Sequence, residues 1–287
     1  MNLLKVALLV FGFRELVSAA KPSPGCGNDP KLITPVAETT PLTMTVNNTT
    51  RKYYVKLPAN YDKNHPYRFI FTLHALGGTA QQVTVGTGGY LAWYGLPPLV
   101  NDTVGAIYIA PDGLNNGWGN QNGQDITFLS QVIKTVESDL CVDQNLRFST
   151  GFSYGAAMSY SLACSLGKEI RAVAVLSGNP QISGCNGGKD PVAYYAEHGV
   201  SDNVLPITGG RTMRDRFVQN NGCTSQTPQE PAAGSGKHIK TVYQGCTPGY
   251  PVTWVAFDGD HTPQPKDKGE TSTFAAAESW LFFSQFQ

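Results

Sequence analysis

Gly151-Phe152-Ser153-Tyr154-Gly155 sets a serine between glycines two residues to either side. This is the G-x-S-x-G spacing of a nucleophile elbow. A serine held on a strained strand-to-helix turn needs glycines there, because side chains would collide with the neighbouring strand and helix. The chemistry such a serine could do is acyl transfer, and its hydroxyl is too weak a nucleophile to act alone. It needs a base within hydrogen-bond reach and a carboxylate to hold that base in the right tautomer.

The chain has five histidines. His65 precedes a proline in a polar turn and His238 lies in a Gly-Ser-Lys loop, so both read as surface residues. His74 and His198 each end an expected strand, but enzymes built on this elbow order their residues serine, acid, histidine, with the base last. His261, in the loop Asp258-Gly259-Asp260-His261-Thr262-Pro263, fits that order. For the acid, Asp202 closes the run His198-Gly199-Val200-Ser201-Asp202, in the loop after a short expected strand between serine and histidine. Asp258 and Asp260 are rivals. They share a loop with His261, so they are poorly placed to meet its ring while it points at Ser153.

A tetrahedral intermediate puts negative charge on an oxygen that must meet fixed N–H donors. The backbone of Tyr154, next after the serine, is one expected donor. Leu76, in His74-Ala75-Leu76-Gly77-Gly78 after an expected strand, is the other. Trp93, Tyr94 and Trp118 fall in Gly-rich loops after strands, where flat rings could pack on an aromatic substrate.

The elements that must carry these residues alternate. Arg68 to Leu73 and Gly105 to Ala110 are continuous apolar runs of strand length, typical of buried parallel strands. Lys52 to Leu57 alternates polar and apolar residues before a turn, as an early antiparallel strand does. Asp125 to Leu140 spaces Ile126, Leu129, Ile133, Val136 and Leu140 as a helix, with an acid at its positive end. Arg147 to Thr150 reads as a short strand and Tyr154 to Leu166 as a helix. Strands follow at 172–176, 193–196 and 253–257, with helices at 212–220 and 273–286. Alternating strands and helices imply a mostly parallel sheet covered on both faces, the α/β-hydrolase fold in combination with the elbow, with its site beyond the carboxyl ends of the strands.

Lysine plus arginine equals aspartate plus glutamate at 21 each in 287 residues. No net field would draw in nucleic acid or anionic lipid, so the expected partner is neutral or weakly charged. Residues 1–20 carry a basic start, a short apolar stretch and small residues before a possible cleavage point. They read as a secretion signal, too short to span a bilayer, ahead of a single catalytic domain over residues 21–287. Six cysteines in a secreted chain imply three disulfides. Fifteen pairings are open. Spacing favours Cys223 with Cys246 across an exposed loop and places Cys141 and Cys164 together near the bottom of the sheet, which leaves Cys26 for Cys185. N-glycosylation triplets begin at Asn47, Asn48 and Asn101. No ligand pattern calls for a metal or cofactor.

The stretches YYVKLPANYD, FTLHALGG, IYIAPDGLNNGWGNQNGQD, ESDLCVDQNLRFSTGFSYGAAMSYSLAC, HGVSDNVLP and TWVAFDGDHTP resemble fungal feruloyl esterases of the type C/D group, relatives of polyhydroxybutyrate depolymerase-like esterases. The resemblance implies hydrolysis of hydroxycinnamoyl esters, on feruloylated plant cell-wall polysaccharide or on small esters, through an acyl-enzyme at Ser153. It also implies that Asp202 and His261 match the family's acid and base. The competing expectations are an acetyl xylan esterase, a short-chain polyester depolymerase, and a non-catalytic fold that only binds glycans.

Overall fold

In the computed structural model, which describes residues 19–33, 40–101, 104–185 and 187–287, the apolar runs become strands of one nine-stranded sheet. In chain order these are β1 (Leu42–Val46), β2 (Thr49–Lys56), β3 (Tyr67–Leu73), β4 (Ala106–Pro111), β5 (Val142–Phe152), β6 (Ala172–Leu176), β7 (Ala193–Gly199), β8 (His238–Val242) and β9 (Val252–Phe257). Their spatial order is β1-β2-β4-β3-β5-β6-β7-β9-β8. The six central strands, β4 to β9 in that order, are parallel, and every residue of β3, β4, β6 and β9 is buried. That is the expected state of strands covered on both faces. Antiparallel edges flank them, β1 and β2 on one side and β8 on the other.

One face is covered by α2 (Gln124–Asp139), α3 (Tyr154–Ser165) and α5 (Ile207–Asn220), through residues such as Phe128, Met158 and Phe217. The other is covered by α1 (Ala80–Val85), the aromatic loop after it, and α6 (Ala275–Ser284), through Val83, Trp93 and Phe283. A further short helix, α4 (Pro180–Ser183), packs by α3. The mostly parallel sheet between helices is the expected α/β-hydrolase architecture.

Several boundaries differ from the sequence reading. β5 runs eleven residues, not four, because its start pairs with Tyr67 across a register shift and Pro22 bridges Asp143. The edge strands β1 and β8 alternate exposed and half-buried residues too weakly to read as strands from sequence. Asn47 and Asn48 form the β1–β2 turn with φ of 49° and 60°, a left-handed pair that asparagine tolerates. Both side chains are exposed, as is Asn101. The expected secretion signal lies outside the described residues except at Ala19 and Ala20.

The disulfides correct the expected pairing in two of three cases. Cys26 joins Cys141, Cys164 joins Cys185, and Cys223 joins Cys246. The N-terminal segment runs beside the α2–β5 connection, where Ser23 N–H donates to the Val142 carbonyl and Ser23 Oγ to that of Leu140. Cys26 therefore meets Cys141. The segment after α4 folds against α3, where Ser161 Oγ donates to the Ser183 carbonyl, and this delivers Cys185 to Cys164. Spacing could not show either close approach.

A carboxyl buried inside the sheet, that of Glu197, has no cationic partner among the described residues. Glu197 on β7 is 1% exposed, accepts a hydrogen bond from the Tyr195 hydroxyl at 2.8 Å, and leaves Oε1 without a partner. Burial pushes its pKa up to about 8 against the lowering effect of that bond. Between roughly 4.3, the value in an unfolded chain, and this folded value, the unfolded state binds fewer protons. Stability therefore falls as pH rises through that window. Glu197→Gln should flatten this slope, gaining on wild type by an amount on the order of a few kcal/mol between pH 4 and pH 8. Thermal melts across that range would show it, and parallel curves would mean the carboxyl does not titrate late. A new amide's constant cost shifts the whole curve, so the slope is the readout.

Candidate active site

Ser153 follows β5 and opens α3 with φ of 57° and ψ of −113°, a backbone state that a side-chain-bearing residue holds only under constraint. The constraint is visible on both sides. A Cβ on Gly151 would stand 2.6 Å from the Gly155 carbonyl oxygen, and one on Gly155 would collide with the Leu73 carbonyl and stand 2.7 Å from that of His74. Strand β3, the turn and helix α3 are thus packed backbone to backbone, and only glycine fits. Gly155→Ala should cost at least about 1–3 kcal/mol of stability, the usual range for overpacking. A chemical-denaturation curve would measure it, and an unchanged midpoint would mean that the close approach relaxes freely.

Strand β7 ends at Gly199, and the loop beyond it brings Asp202 under the loop after β9. Asp202 Oδ2 lies 2.7 Å from His261 Nδ1. The other oxygen, Oδ1, accepts from the Val204 and Leu205 N–H groups at 3.0 and 2.8 Å. Burial works to raise the Asp202 carboxyl, but hydrogen bonds from His198, His261 and Leu205 outweigh it and hold the group below the ordinary carboxylate range. Asp202 is therefore ionised and saturated with donors. The His261 ring packs on Phe152, the residue before Ser153, with centroids 4.5 Å apart. Ser153 Oγ itself makes no hydrogen bond to His261 in this state; such contacts are commonly loose before substrate binds.

His198 is a residue whose role sequence order obscured. Its Nε2 sits 3.2 Å from Asp202 Oδ2 and 2.7 Å from the Leu205 carbonyl, so it carries the proton there and becomes the carboxylate's second ring partner. The signal was its position four residues before Asp202 at a strand end. The rivals Asp258 and Asp260 are occupied elsewhere. Asp258 accepts the Gly234 and Gly236 N–H groups, and Asp260 accepts from Asn203 and from the His261 backbone.

The loop after β3 has its own internal order. Ala75 N–H donates to the Tyr90 hydroxyl, Gly77 N–H to the Asn116 carbonyl and Gly78 N–H to the Ala75 carbonyl. Among the described residues, the Leu76 N–H and the Tyr154 N–H have no protein partner. His74 anchors this loop. Its ring is buried, donates from Nδ1 to the Ala75 carbonyl and accepts the Gly113 N–H at Nε2, and burial lowers its pKa, so it stays neutral.

The three aromatics expected to pack on substrate are all buried. Trp118 is fully buried, packs at a tilt against the His74 ring and donates its Nε1–H to the His74 carbonyl. Trp93 is 1% exposed against Tyr108. Tyr94 is buried, and its hydroxyl donates to the Leu73 carbonyl and accepts the Phe152 N–H. Large rings in loops found the core because these loops fold back over the sheet. The exposed apolar surface comes instead from Leu76, 68% exposed, and from Tyr154. Their side chains converge over Gly117, where a Cβ would meet Tyr154 Cε1 at 2.8 Å and Leu76 Cδ1 at 3.3 Å. The Gly117 loop is held by a buried ion pair, Arg51 with Asp125 at 2.7 Å, whose second oxygen takes the Asn120 N–H.

No protein-family model matches the chain. It is 49% identical over 283 residues to feruloyl esterase D of Neurospora crassa, covering 97% of this chain and 96% of that one. It is 45% identical over 276 residues to feruloyl esterase C of Emericella nidulans, covering 96% of each. Among solved structures, a ferulic acid esterase from Anaeromyces mucronatus in complex with ferulic acid superposes with a TM-score of 0.58 at 16% identity, over 85% of this chain and 89% of that one. An acetyl xylan esterase from Aspergillus awamori gives 0.58 at 15% identity, over 85% and 99%. At such identities the structures speak for the fold alone.

Proposed function

Given that the chain belongs to the fungal feruloyl esterases of the C/D group and is a carboxylic ester hydrolase, we propose that it cleaves feruloyl and related hydroxycinnamoyl esters of plant cell-wall arabinoxylan through Ser153, His261 and Asp202. His261 takes the Ser153 proton at Nε2 as Oγ attacks the ester carbonyl. Asp202 holds the ring by Nδ1 and stabilises the imidazolium that forms. The Leu76 and Tyr154 N–H groups receive the oxyanion. The tetrahedral intermediate collapses as His261 protonates the sugar oxygen, which leaves a feruloyl ester on Ser153. A water deprotonated by His261 then attacks that ester and frees ferulate and the serine. The aromatic acid packs against Leu76 and the Tyr154 ring.

The observation that carries this reading is the 2.7 Å contact of an ionised Asp202 with His261, beside a serine on a strained elbow. Secretion is part of the proposal and is supported by three disulfides and by the exposed Asn47, Asn48 and Asn101 at glycosylation triplets. No helix among the described residues is long and apolar enough to cross a membrane. A panel of methyl ferulate, methyl sinapate, acetylated xylan and p-nitrophenyl butyrate tests the substrate class. The hydroxycinnamates should show the highest kcat/KM, and a preference for acetylated xylan would overturn the reading.

A further inference from the structure

At the opposite end of the sheet from Ser153, before the starts of β6 and β9 and along the start of β5, lies a groove of about 880 Å³. No step of the chemistry above uses it. Its walls are the β5 start, the turn before β6, the loop 243–251 and the end of α6. These walls are rigid: the Cys223–Cys246 bridge fixes the loop, and Arg171 donates to the Gly249 carbonyl while its guanidinium lies over both Phe286 and Tyr250, at 4.1 and 5.5 Å.

The chemistry of the lining is specific. Four amides, Gln144, Asn145, Gln244 and Gln285, border the groove. Each donates its NH₂ to a protein oxygen, respectively Glu137 Oε2 and the carbonyls of Ala19, Val242 and Phe282. Among the described residues their side-chain oxygens accept nothing. The groove is therefore bordered by four amides, each with an oxygen and a second N–H left for a ligand, beside the half-buried ring of Tyr250. Amides that accept and donate at once, with Lys168 and Glu169 also on the rim, suit a ligand rich in hydroxyl groups, while a flat ring suits the C–H face of a sugar. An 880 Å³ groove also falls within the range of small-ligand sites.

We propose that this groove is a second carbohydrate-binding site that holds an unesterified stretch of xylan, remote from the ester cleaved at Ser153. The choice of xylan rests on the substrate reading above. A polymer held at a second point would be retained between cleavages, since the second contact becomes effectively intramolecular.

The test uses full-length Ser153→Ala protein titrated with xylohexaose by calorimetry. Binding in the millimolar range or tighter is expected, at least tenfold weaker in a Tyr250→Ala background. Because that variant also frees Arg171, a Gln244→Ala/Gln285→Ala double variant, which changes two exposed side chains, should weaken binding at least threefold as well. In otherwise wild-type enzyme, both groove variants should keep kcat/KM on methyl ferulate within twofold and lose activity on insoluble feruloylated xylan. Absence of xylohexaose binding, or binding untouched by both variants, would overturn the proposal. Neither result bears on methyl ferulate hydrolysis, whose own failure would instead remove the esterase reading.

Discussion

Ser153→Ala is expected to lower kcat on methyl ferulate by about 10⁶ while leaving the melting temperature nearly unchanged. The two halves of this expectation come from different observations. The loss follows because no acyl-enzyme can form without Oγ; what remains, on the order of 10³ over water, would come from the oxyanion donors. The unchanged stability follows from the backbone. Alanine carries the same Cβ as serine, so it meets the φ of 57° at the same steric cost, and the Ser153 N–H still donates to the Leu176 carbonyl. The residue is 9% exposed, and removing its hydroxyl opens no apolar cavity. Turnover above a tenth of wild type, measured alongside a thermal melt, would remove Ser153 from the role of nucleophile. A melt lowered by many degrees would show that the hydroxyl also supports the turn.

Much of the fold was legible because its determinants are local. Continuous apolar runs of strand length such as RFIFTL read as buried strands from their own residues, and β6 coincides with the expected range to the residue. The elbow was legible because its spacing lies within five consecutive residues, although Gly155 also answers to the carbonyls of Leu73 and His74 at the end of β3. What sequence concealed was long-range. Helix α1 is announced only by a capping box between Thr79 and Gln82, in a stretch too short to show periodicity. The cysteine partners depend on which loops fold back on which helices. The aromatic residues of two loops read as a substrate wall because exposure cannot be inferred from residue type: Trp118, after β4, holds His74, and Tyr94, after α1, ties β3 to the elbow. Leu76 and Tyr154 were noted for their backbones, yet their side chains form the apolar surface beside the serine. His198 was set aside by chain order, a rule about which histidine acts as base that says nothing about which one supports the acid.

Asp202→Asn separates the acid from its neighbours, and the hydrogen-bond census explains why its effect should be large. All four contacts to the carboxylate come from donors: Val204 and Leu205 N–H on Oδ1, His261 and His198 on Oδ2. An asparagine has one oxygen. If its NH₂ takes the Oδ2 position, it faces the proton on His261 Nδ1 or drives that proton to Nε2, where the ring can no longer accept from Ser153. If it takes the Oδ1 position, it confronts two backbone N–H groups and strains the loop that positions it. Either way the base is misoriented, which costs on the order of 10⁴ in kcat. Because a correctly held imidazole matters when charge develops and not when the ester docks, KM should change little. Asp260→Asn keeps one oxygen for the Asn203 and His261 N–H groups, and Asp258→Asn touches only the Gly234 to Gly236 turn, so both should stay within about tenfold of wild type. Steady-state kinetics of the three variants on methyl ferulate decide the matter: if either loop variant loses more turnover than Asp202→Asn, the carboxylate that orients His261 is not the one 2.7 Å from its Nδ1.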